Sequence, residues 1–207
     1  RAGDVGLWVC FGGFPEKVSG TQHHNAHVVV DQQGGIRAVY RKIHLFDVTL
    51  PGGGVYQESR HAAAGSELVV VDSPVGKLGL SVCYDLRFPE LYRALAEKGA
   101  EVLLVPAAFT LTTGKEHWEP LLRARAIENL AYVIAPAQGG YHLSGRETHG
   151  DSMIVDPWGV VLDRLPRGSG VVIANINPAY QASLRKSLPA QQHRFILHDG
   201  MFFFGYA

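Results

Sequence analysis

The first third of the chain alternates short apolar runs with turn residues, a pattern typical of β-strands. Leu7–Phe11 is an apolar run closed by two glycines and predicts a buried strand. Residues 26–31 and 36–43 are rich in β-branched residues and flank a Gln-Gln-Gly-Gly turn, so they predict a hairpin. Lys42 therefore lies near the end of a strand.

The next segment predicts a long connection followed by a second hairpin. Residues 46–65 are glycine-rich and have little periodicity, and loops of this length are often functional. This connection contains Glu58. Residues 68–72 and 77–82 flank a Ser-Pro-Val-Gly turn and predict the hairpin, whose second strand leads directly into Cys83.

Helical patterns begin after this hairpin. Pro89 suits the first turn of a helix that ends at Gly99, and an apolar strand is predicted at residues 101–105. Thr113 and Glu116 have the spacing of a capping box and predict the start of a second helix.

The remainder predicts further strands and one more helix. Strands are expected at residues 131–135, as a pair at 152–155 and 160–165, and at 171–176, and a helix at 179–188. Strands that alternate with amphipathic helices indicate an α/β fold, and the hairpins indicate mixed sheets. Two sheets packed face to face with helices outside would cover all the apolar strands.

Composition supports a single folded domain over residues 1–207. Of the 207 residues, 46% are hydrophobic and 18% are charged, which suits one core. The 19 basic and 19 acidic residues balance, which disfavours a nucleic-acid partner. No apolar run approaches the ~20 residues of a membrane helix, and no signal segment opens the chain, so we expect no membrane partner and a cytoplasmic location. The two cysteines predict free thiols in a reducing compartment.

The position of Cys83 suits a nucleophile. It lies between a strand and a helix N-terminus, where unpaired N–H groups and the helix dipole favour a thiolate. The alternative is a small buried core residue. Four charged residues crowd the same corner, and we expect them to brace it as ion pairs: Asp85, Arg87, Glu90 and Arg93.

Lys42 and Glu58 each have an ordinary and a catalytic interpretation. A lysine at a strand end is most often a solvated edge charge, but a rigid ammonium would also stabilise an oxyanion formed by attack of a thiol. A carboxylate such as Glu58 becomes an efficient proton acceptor when burial raises its pKa toward neutrality.

The ten histidines do not predict a metal site. His23, His24 and His27 are the closest in sequence, but they lie in a strand-like segment, where the helical i, i+4 spacing does not apply. His117, near a helix start, has a structural or a cavity-lining interpretation. We therefore expect no metal.

Three segments taken together resemble the nitrilase superfamily of carbon-nitrogen hydrolases. They are YRKIHLFD at residues 40–47, YQES at 56–59 and GLSVCYDLRFPE at 79–90, and their order and spacing also match. The stretches at residues 117–119, 123–129 and 155–159 extend the resemblance over nearly the whole chain.

The resemblance implies an α-β-β-α sandwich of two mixed sheets flanked by helices. It implies that Cys83 is the nucleophile, that Lys42 and the Tyr84 backbone N–H bind the oxyanion, and that Glu58 is the second active-site glutamate. The substrate would be a small amide, cleaved by water through a thioester on Cys83 without a metal or organic cofactor.

One departure from the family pattern concerns the general base. The family's principal glutamate lies farther upstream of Lys42 than the 41 residues found here, and Glu16 is in the wrong place for it. The chain begins with Arg1 and enters an apolar strand almost at once, so we expect an N-terminal piece to be missing. If it were the whole protein, we would expect an inactive scaffold.

Within the superfamily, residues 8–16, 124–129 and 149–153 most resemble amidases that act on deaminated glutathione. The ω-amidases of 2-oxo-acid amides are the alternative. The loops at residues 107–118 and 139–149 should determine which substrate is bound. The candidate binding residues in them are Phe109, Trp118 and Arg146. The resemblance also implies a homodimer or larger homo-oligomer, to which the apolar tail at 201–206 would contribute. A mitochondrial location would follow if an upstream extension carried a transit peptide.

Overall fold

Thirteen strands and four α-helices make up the described part of the protein, residues 2–51, 54–143 and 145–194 of a computed structural model. The strands are β1 (Val9–Ser19), β2 (Gln22–Val30), β3 (Ile36–Arg41), β4 (Asp47–Thr49), β5 (Val55–Gln57), β6 (Val70–Ser73), β7 (Gly76–Leu80), β8 (Val102–Leu104), β9 (Tyr132–Ala135), β10 (Gly139–Tyr141), β11 (Glu147–His149), β12 (Ser152–Val155) and β13 (Val161–Leu165). The helices are α1 (Ala2–Val5), α2 (Pro89–Glu97), α3 (Leu111–Asn129) and α4 (Pro178–Ser187), with 3-10 helices at Glu58–Arg60 and Cys83–Arg87.

Two sheets carry the fold. The larger has six strands in the order β13-β12-β9-β8-β7-β6; its neighbours β7, β8 and β9 are parallel and the other pairs antiparallel. The smaller sheet has the order β1-β2-β3 and is antiparallel. Both predicted hairpins and the mixed character of the sheet are confirmed.

Apolar side chains fill two layers, one on each face of the larger sheet. Between the sheets, Val29 and Tyr40 of the smaller sheet pack with Leu78, Leu80 and neighbouring residues of the larger one. On its other face, α2 and α3 cover a core of fully buried side chains that includes Trp118. Sheet, sheet and helices are thus stacked as three of the four layers of the expected α-β-β-α sandwich.

Helix α2 shows how the sequence sets this packing. Pro89 occupies the first turn, where its missing N–H costs nothing. Leu91, Tyr92 and Leu95 then share the face that is buried against the sheet. Gly99 adopts a φ of +88°, which lets the chain reverse into β8.

Three predictions about elements are wrong. The first strand is longer than Leu7–Phe11 and mostly exposed, because β1 has β2 as its one neighbour. Residues 171–176 form no strand; the N–H of Ile173 instead donates to an Asp163 carboxylate oxygen at 2.7 Å. Helix α3 begins at Leu111, two residues before the predicted capping threonine, which makes a hydroxyl hydrogen bond with Thr110.

Candidate active site

A cavity of about 950 Å³ opens where the three parallel strands end. Its wall includes residues that follow β7, β8 and β9, at the carboxyl edge of the sheet where ligands bind in many α/β proteins. The smaller sheet supplies the opposite wall. Cys83, Lys42 and Glu58 all line this cavity, so the structure brings together the three residues that the sequence predicts to act together.

Cys83 lies on a strained turn just after β7. Its φ is +51°, in the left-handed region that residues other than glycine rarely adopt, and its N–H donates to Pro106 O at 2.9 Å. Burial raises the pKa of the Cys83 thiol, and the nearby Lys42 ammonium opposes this only in part. The prediction of a resting thiolate is therefore wrong, and Cys83 would have to lose its proton before it could act as a nucleophile.

Lys42 and Glu58 form a short ion pair beside the cysteine. The Lys42 side chain is 2% exposed, and its Nζ lies 2.5 Å from Glu58 Oε2. Glu58 also accepts hydrogen bonds from Asn25 Nδ2 at 3.0 Å and from the Phe46 N–H at 2.7 Å.

The same contacts decide the charge of Glu58. Burial alone would raise the pKa of this carboxyl, but the Lys42 ammonium and the two hydrogen bonds lower it below its ordinary value. Glu58 is therefore ionised at neutral pH, so the condition for an efficient proton acceptor, a pKa raised toward neutrality, is not met. Its ion pair with Lys42 holds the ammonium beside the cysteine turn.

Asp85 ties the lysine segment to the cysteine turn. Its fully buried carboxylate accepts from the Tyr40 hydroxyl at 2.7 Å and from the Val82 N–H at 2.9 Å. The other oxygen accepts from the N–H and the Nδ1 of His44, at 3.1 and 2.8 Å. Tyr40 and His44 flank Lys42 in sequence, and Val82 precedes Cys83. The Asp85 carboxylate therefore fixes the backbone segments that carry both residues.

The expected ion pairs at this corner are wrong. Asp85 accepts hydrogen bonds from Tyr40, His44 and Val82, and Arg93 donates to the Glu128 carbonyl at 2.6 Å and lies 3.9 Å from its carboxylate. Arg87 turns into the cavity wall. Charged residues that are neighbours in sequence thus contact different parts of the protein.

Tyr84 also lines the cavity. It lies in the first turn of a 3-10 helix, and the N–H groups of a first turn have no acceptor within the helix. Its ring packs edge-on against Phe46 and Phe88. The assignment of its N–H as an oxyanion donor stays a prediction that this placement allows.

The three candidate substrate-binding residues lie in different places. Phe109 and Arg146 line the cavity, the latter in the turn between β10 and β11. Trp118 is fully buried behind Phe109, with ring centroids 4.9 Å apart, and its Nε1 donates to Asp151 O at 2.7 Å. Trp118 is not among the lining residues, so its predicted contact with substrate is wrong. It lies on the buried face of α3 and packs in the core.

Two features of the cavity escaped the sequence analysis. Arg87 lines the wall, one helical turn beyond Cys83. Gly12 of β1 lies so close to Pro106 that an added Cβ would be 2.1 Å from the proline Cβ, so this strand requires glycine where it crosses the cavity. The paired glycines after the first apolar run were the available signal.

Acidic groups are scarce in the cavity. Glu58 is the one carboxylate among the lining residues of the described chain, since Glu16 pairs with Arg41 at the surface, as its distance from the motif led us to expect. Over the same residues, no group of three or more His, Cys, Asp or Glu side chains could hold a metal ion. No helix in the described ranges is long and apolar enough to cross a membrane.

A two-sheet α/β fold with a cysteine, a lysine and a glutamate in one cavity defines the nitrilase-like class of proteins. A family model described as carbon-nitrogen hydrolase matches residues 2–186. The chain belongs to the carbon-nitrogen hydrolase family, and the resemblance inferred from its motifs is confirmed.

Similar proteins include the deaminated glutathione amidase of Dictyostelium discoideum, 50% identical over 91% of this chain and 66% of that protein. The chain thus spans slightly less than two thirds of that relative's length. The crystal structure of the Caenorhabditis elegans NitFhit protein has a TM-score of 0.89 and 44% identity, covering 93% of this chain and 48% of that one. A variant of the amidase from Nesterenkonia sp. AN1, with acrylamide added at its active-site cysteine, has a TM-score of 0.74 and 28% identity, over 92% and 71% of the two chains.

Proposed function

We propose that this protein is a thiol amidase that hydrolyses a small, carboxylate-bearing amide. The observation that carries the proposal is the meeting of Cys83, Lys42 and Glu58 in one cavity at the carboxyl edge of the parallel strands. Relatives named deaminated glutathione amidase, about half identical to this chain, support deaminated glutathione as the substrate.

In the proposed reaction, Cys83 Sγ loses its proton to a base and attacks the amide carbonyl carbon. The Lys42 ammonium and the Tyr84 N–H stabilise the resulting oxyanion. The intermediate collapses, the amine leaves with a proton from the base, and a thioester remains on Cys83. Water, deprotonated by the same base, attacks the thioester, and the acid and the thiol are released.

Glu58 is poorly suited to act as the general base. Its carboxylate is ionised and already accepts three hydrogen bonds, one of them from Lys42. We infer that Glu58 acts by holding Lys42, and that a second carboxylate accepts the Cys83 proton. The family resemblance places that carboxylate more than 41 residues upstream of Lys42.

The test is hydrolysis of deaminated glutathione by the full-length protein, which includes the upstream carboxylate, and by its Cys83→Ala variant, with the amine product measured. Cys10→Ala is the matched control, since Cys10 is a second thiol in the same cavity wall. We expect Cys83→Ala to lose activity by at least about 1,000-fold, as for removal of a covalent nucleophile. Activity that survives in Cys83→Ala would contradict the mechanism.

We also propose a homodimer or larger assembly and a cytoplasmic location. Ile127, Trp158 and Val160 are 48 to 55% exposed, and such apolar groups favour burial by a partner. The apolar tail named above lies outside the described residues. Light scattering on the purified protein tests the assembly, because a monomer at micromolar concentration would contradict it.

A further inference from the structure

Asn25 contacts both members of the ion pair beside the cysteine. It lies in β2 and lines the cavity. Its backbone oxygen accepts from the Lys42 N–H at 2.9 Å, and its Nδ2 donates to Glu58 Oε1 at 3.0 Å. A single residue is therefore hydrogen-bonded to the backbone of the lysine and to the carboxylate of the glutamate.

The backbone around Asn25 is held to the segment that follows Glu58. The His23 N–H donates to His61 O at 3.1 Å, and the Ala63 N–H donates to His23 O at 2.9 Å. Strand β2 also pairs with β3, the strand that leads into Lys42. Main-chain hydrogen bonds thus place Asn25 where the two segments that carry the ion pair meet.

The ion pair decides which way the Asn25 amide points. An ionised carboxylate has acceptors and no donor, so the amide nitrogen must face Glu58. The amide oxygen then faces β1, where a Cβ added at Gly13 would lie 3.9 Å from it. This oxygen is buried, and no donor in the described ranges is hydrogen-bonded to it. The amide therefore keeps an orientation that serves Glu58 and leaves its own oxygen unpaired, at a cost in stability.

The two oxygens of Glu58 are held unequally. Oε2 accepts from both Lys42 Nζ and the Phe46 N–H, whereas Asn25 is the one donor to Oε1 among the described residues. Without Asn25, the carboxylate could turn about its side-chain bond. The Lys42 ammonium, which is hydrogen-bonded to that carboxylate, would then lose its fixed position.

We propose that Asn25 is a positioning residue that fixes the Glu58 carboxylate and, through it, the Lys42 ammonium in the orientation that binds the oxyanion. The inference rests on the proposed amidase function and adds a residue that acts on the reaction through the ion pair. Because the Asn25 side chain is neutral, replacing it by another neutral side chain leaves every charge of the cavity in place.

The experiment uses the full-length protein with Asn25→Leu and Asn25→Asp. Asn175→Leu is the matched control, at an exposed asparagine outside the cavity. The values of kcat and KM for deaminated glutathione are measured between pH 6 and pH 8, and stability is measured by urea denaturation. The rate at which iodoacetamide alkylates Cys83 is followed by mass spectrometry in a Cys10→Ala background, which does not depend on turnover.

We expect Asn25→Leu to lower kcat about 10- to 100-fold, the range for a hydrogen bond to a charged group, and to change KM less than about threefold. The urea midpoint should stay within about 0.5 M, because leucine removes the unpaired oxygen together with the donor. Alkylation of Cys83 should slow several-fold, since Lys42 lowers the pKa of that thiol. Asn175→Leu should match the unsubstituted protein.

Asn25→Asp places a second carboxyl group against Glu58 Oε1. When both groups are charged they repel, whereas a proton shared between them restores a donor to Glu58. The kcat of this variant, relative to the unsubstituted protein, should therefore rise as the pH falls from 8 to 6. Among the described residues, Lys42 and Cys83 are the titratable groups that interact with the Glu58 charge, and both proteins contain them.

An unchanged kcat in Asn25→Leu would overturn the proposal. So would a loss in both variants that is the same at every pH and follows a fall in the urea midpoint, because Asn25 would then only support the fold. If the full-length protein hydrolyses no amide but alkylation of Cys83 slows in Asn25→Leu, the positioning role stands and the amidase function fails. Hydrolysis with the same kcat and the same alkylation rate in Asn25→Leu would be the reverse outcome.

Discussion

The two halves of the cavity are built in different ways. On the catalytic side, Lys42 is 2% exposed, and the buried Asp85 carboxylate joins the lysine segment to the cysteine turn. On the recognition side, Phe109 precedes α3, Arg87 ends the 3-10 helix that begins at Cys83, and Arg146 is exposed in the turn between β10 and β11. A buried carboxylate with four hydrogen bonds fixes the catalytic side, whereas ring contacts and one hydrogen bond hold Arg87 on the recognition side.

This difference predicts two kinds of variant. A group removed from the catalytic side leaves buried donors or acceptors without partners, which costs stability as well as rate. A group removed from the recognition side leaves its neighbours open to water. Changes there should affect KM more than kcat.

The largest effect is expected for Lys42→Met on the catalytic side. Loss of one oxyanion donor lowers kcat by about 100- to 1,000-fold in other enzymes of acyl transfer, and methionine is unbranched like lysine and lacks only the ammonium end of the side chain. Lys77→Met is the control, since Lys77 pairs with Asp72 at the surface. The measurement is steady-state kinetics on deaminated glutathione. A loss in kcat of less than tenfold would show that Lys42 does not bind the oxyanion.

Asp85→Asn should come next. The amide has one acceptor oxygen where the carboxylate has two, so one of the two pairs of donors, either Tyr40 and Val82 or the two donors of His44, faces an NH₂ group. We expect the free energy of unfolding to fall by about 2–4 kcal/mol and kcat by at least about tenfold. Urea denaturation and kinetics measure the two effects.

Asp72→Asn is the matched control for this change, because that carboxylate is exposed. It should alter stability by less than about 0.5 kcal/mol. An Asp85→Asn variant as stable as this control would show that the buried network does not hold the catalytic side together.

His27 extends the comparison to the contact between the sheets. It is 1% exposed, its Nδ1 lies 3.0 Å from Ser81 O, and burial lowers its pKa to about 4 despite that hydrogen bond. Between pH 6.5 and pH 4 the unfolded chain binds a proton that the native state does not, so stability falls as the pH falls. The expected contribution is about 2–3 kcal/mol.

His27→Gln should remove this part of the pH dependence, because glutamine can still donate to Ser81 O but does not titrate. His61→Gln, at an exposed histidine, should retain it. Denaturation midpoints at pH 7.5, 6, 5 and 4.5 distinguish the two. Equal slopes for both variants would mean that His27 is not buried in its neutral form.

The catalytic side could be predicted from the sequence because its groups lie at the ends of elements that the pattern reveals. Lys42 follows a strand, and Cys83 lies between a strand and a helix. The ionised state of Glu58 could not be predicted, since it depends on Asn25 and Phe46 from other segments. The thiolate prediction failed for a related reason: the dipole argument does not include burial.

The recognition side was harder to predict because it depends on which way a helix face turns. Trp118 and Phe109 lie close together in space and both belong to the buried core, but Phe109 also lines the cavity whereas Trp118 does not. Arg87 was assigned to an ion pair that does not form. The exposure of β1 was missed because an apolar run does not show how many neighbouring strands it will have.

The smallest effect is expected for Thr148→Val in the hairpin below Arg146. The Thr148 side chain is fully buried, and its hydroxyl lies 2.7 Å from His142 Nε2. Valine keeps the branched shape and removes one neutral hydrogen bond, so stability should fall by about 1 kcal/mol. The looser hairpin should raise KM for deaminated glutathione about two- to fivefold and leave kcat unchanged, because Asp85 and the ion pair beside the cysteine are untouched. A loss in kcat comparable with that of Asp85→Asn would show that the two halves of the cavity are mechanically coupled.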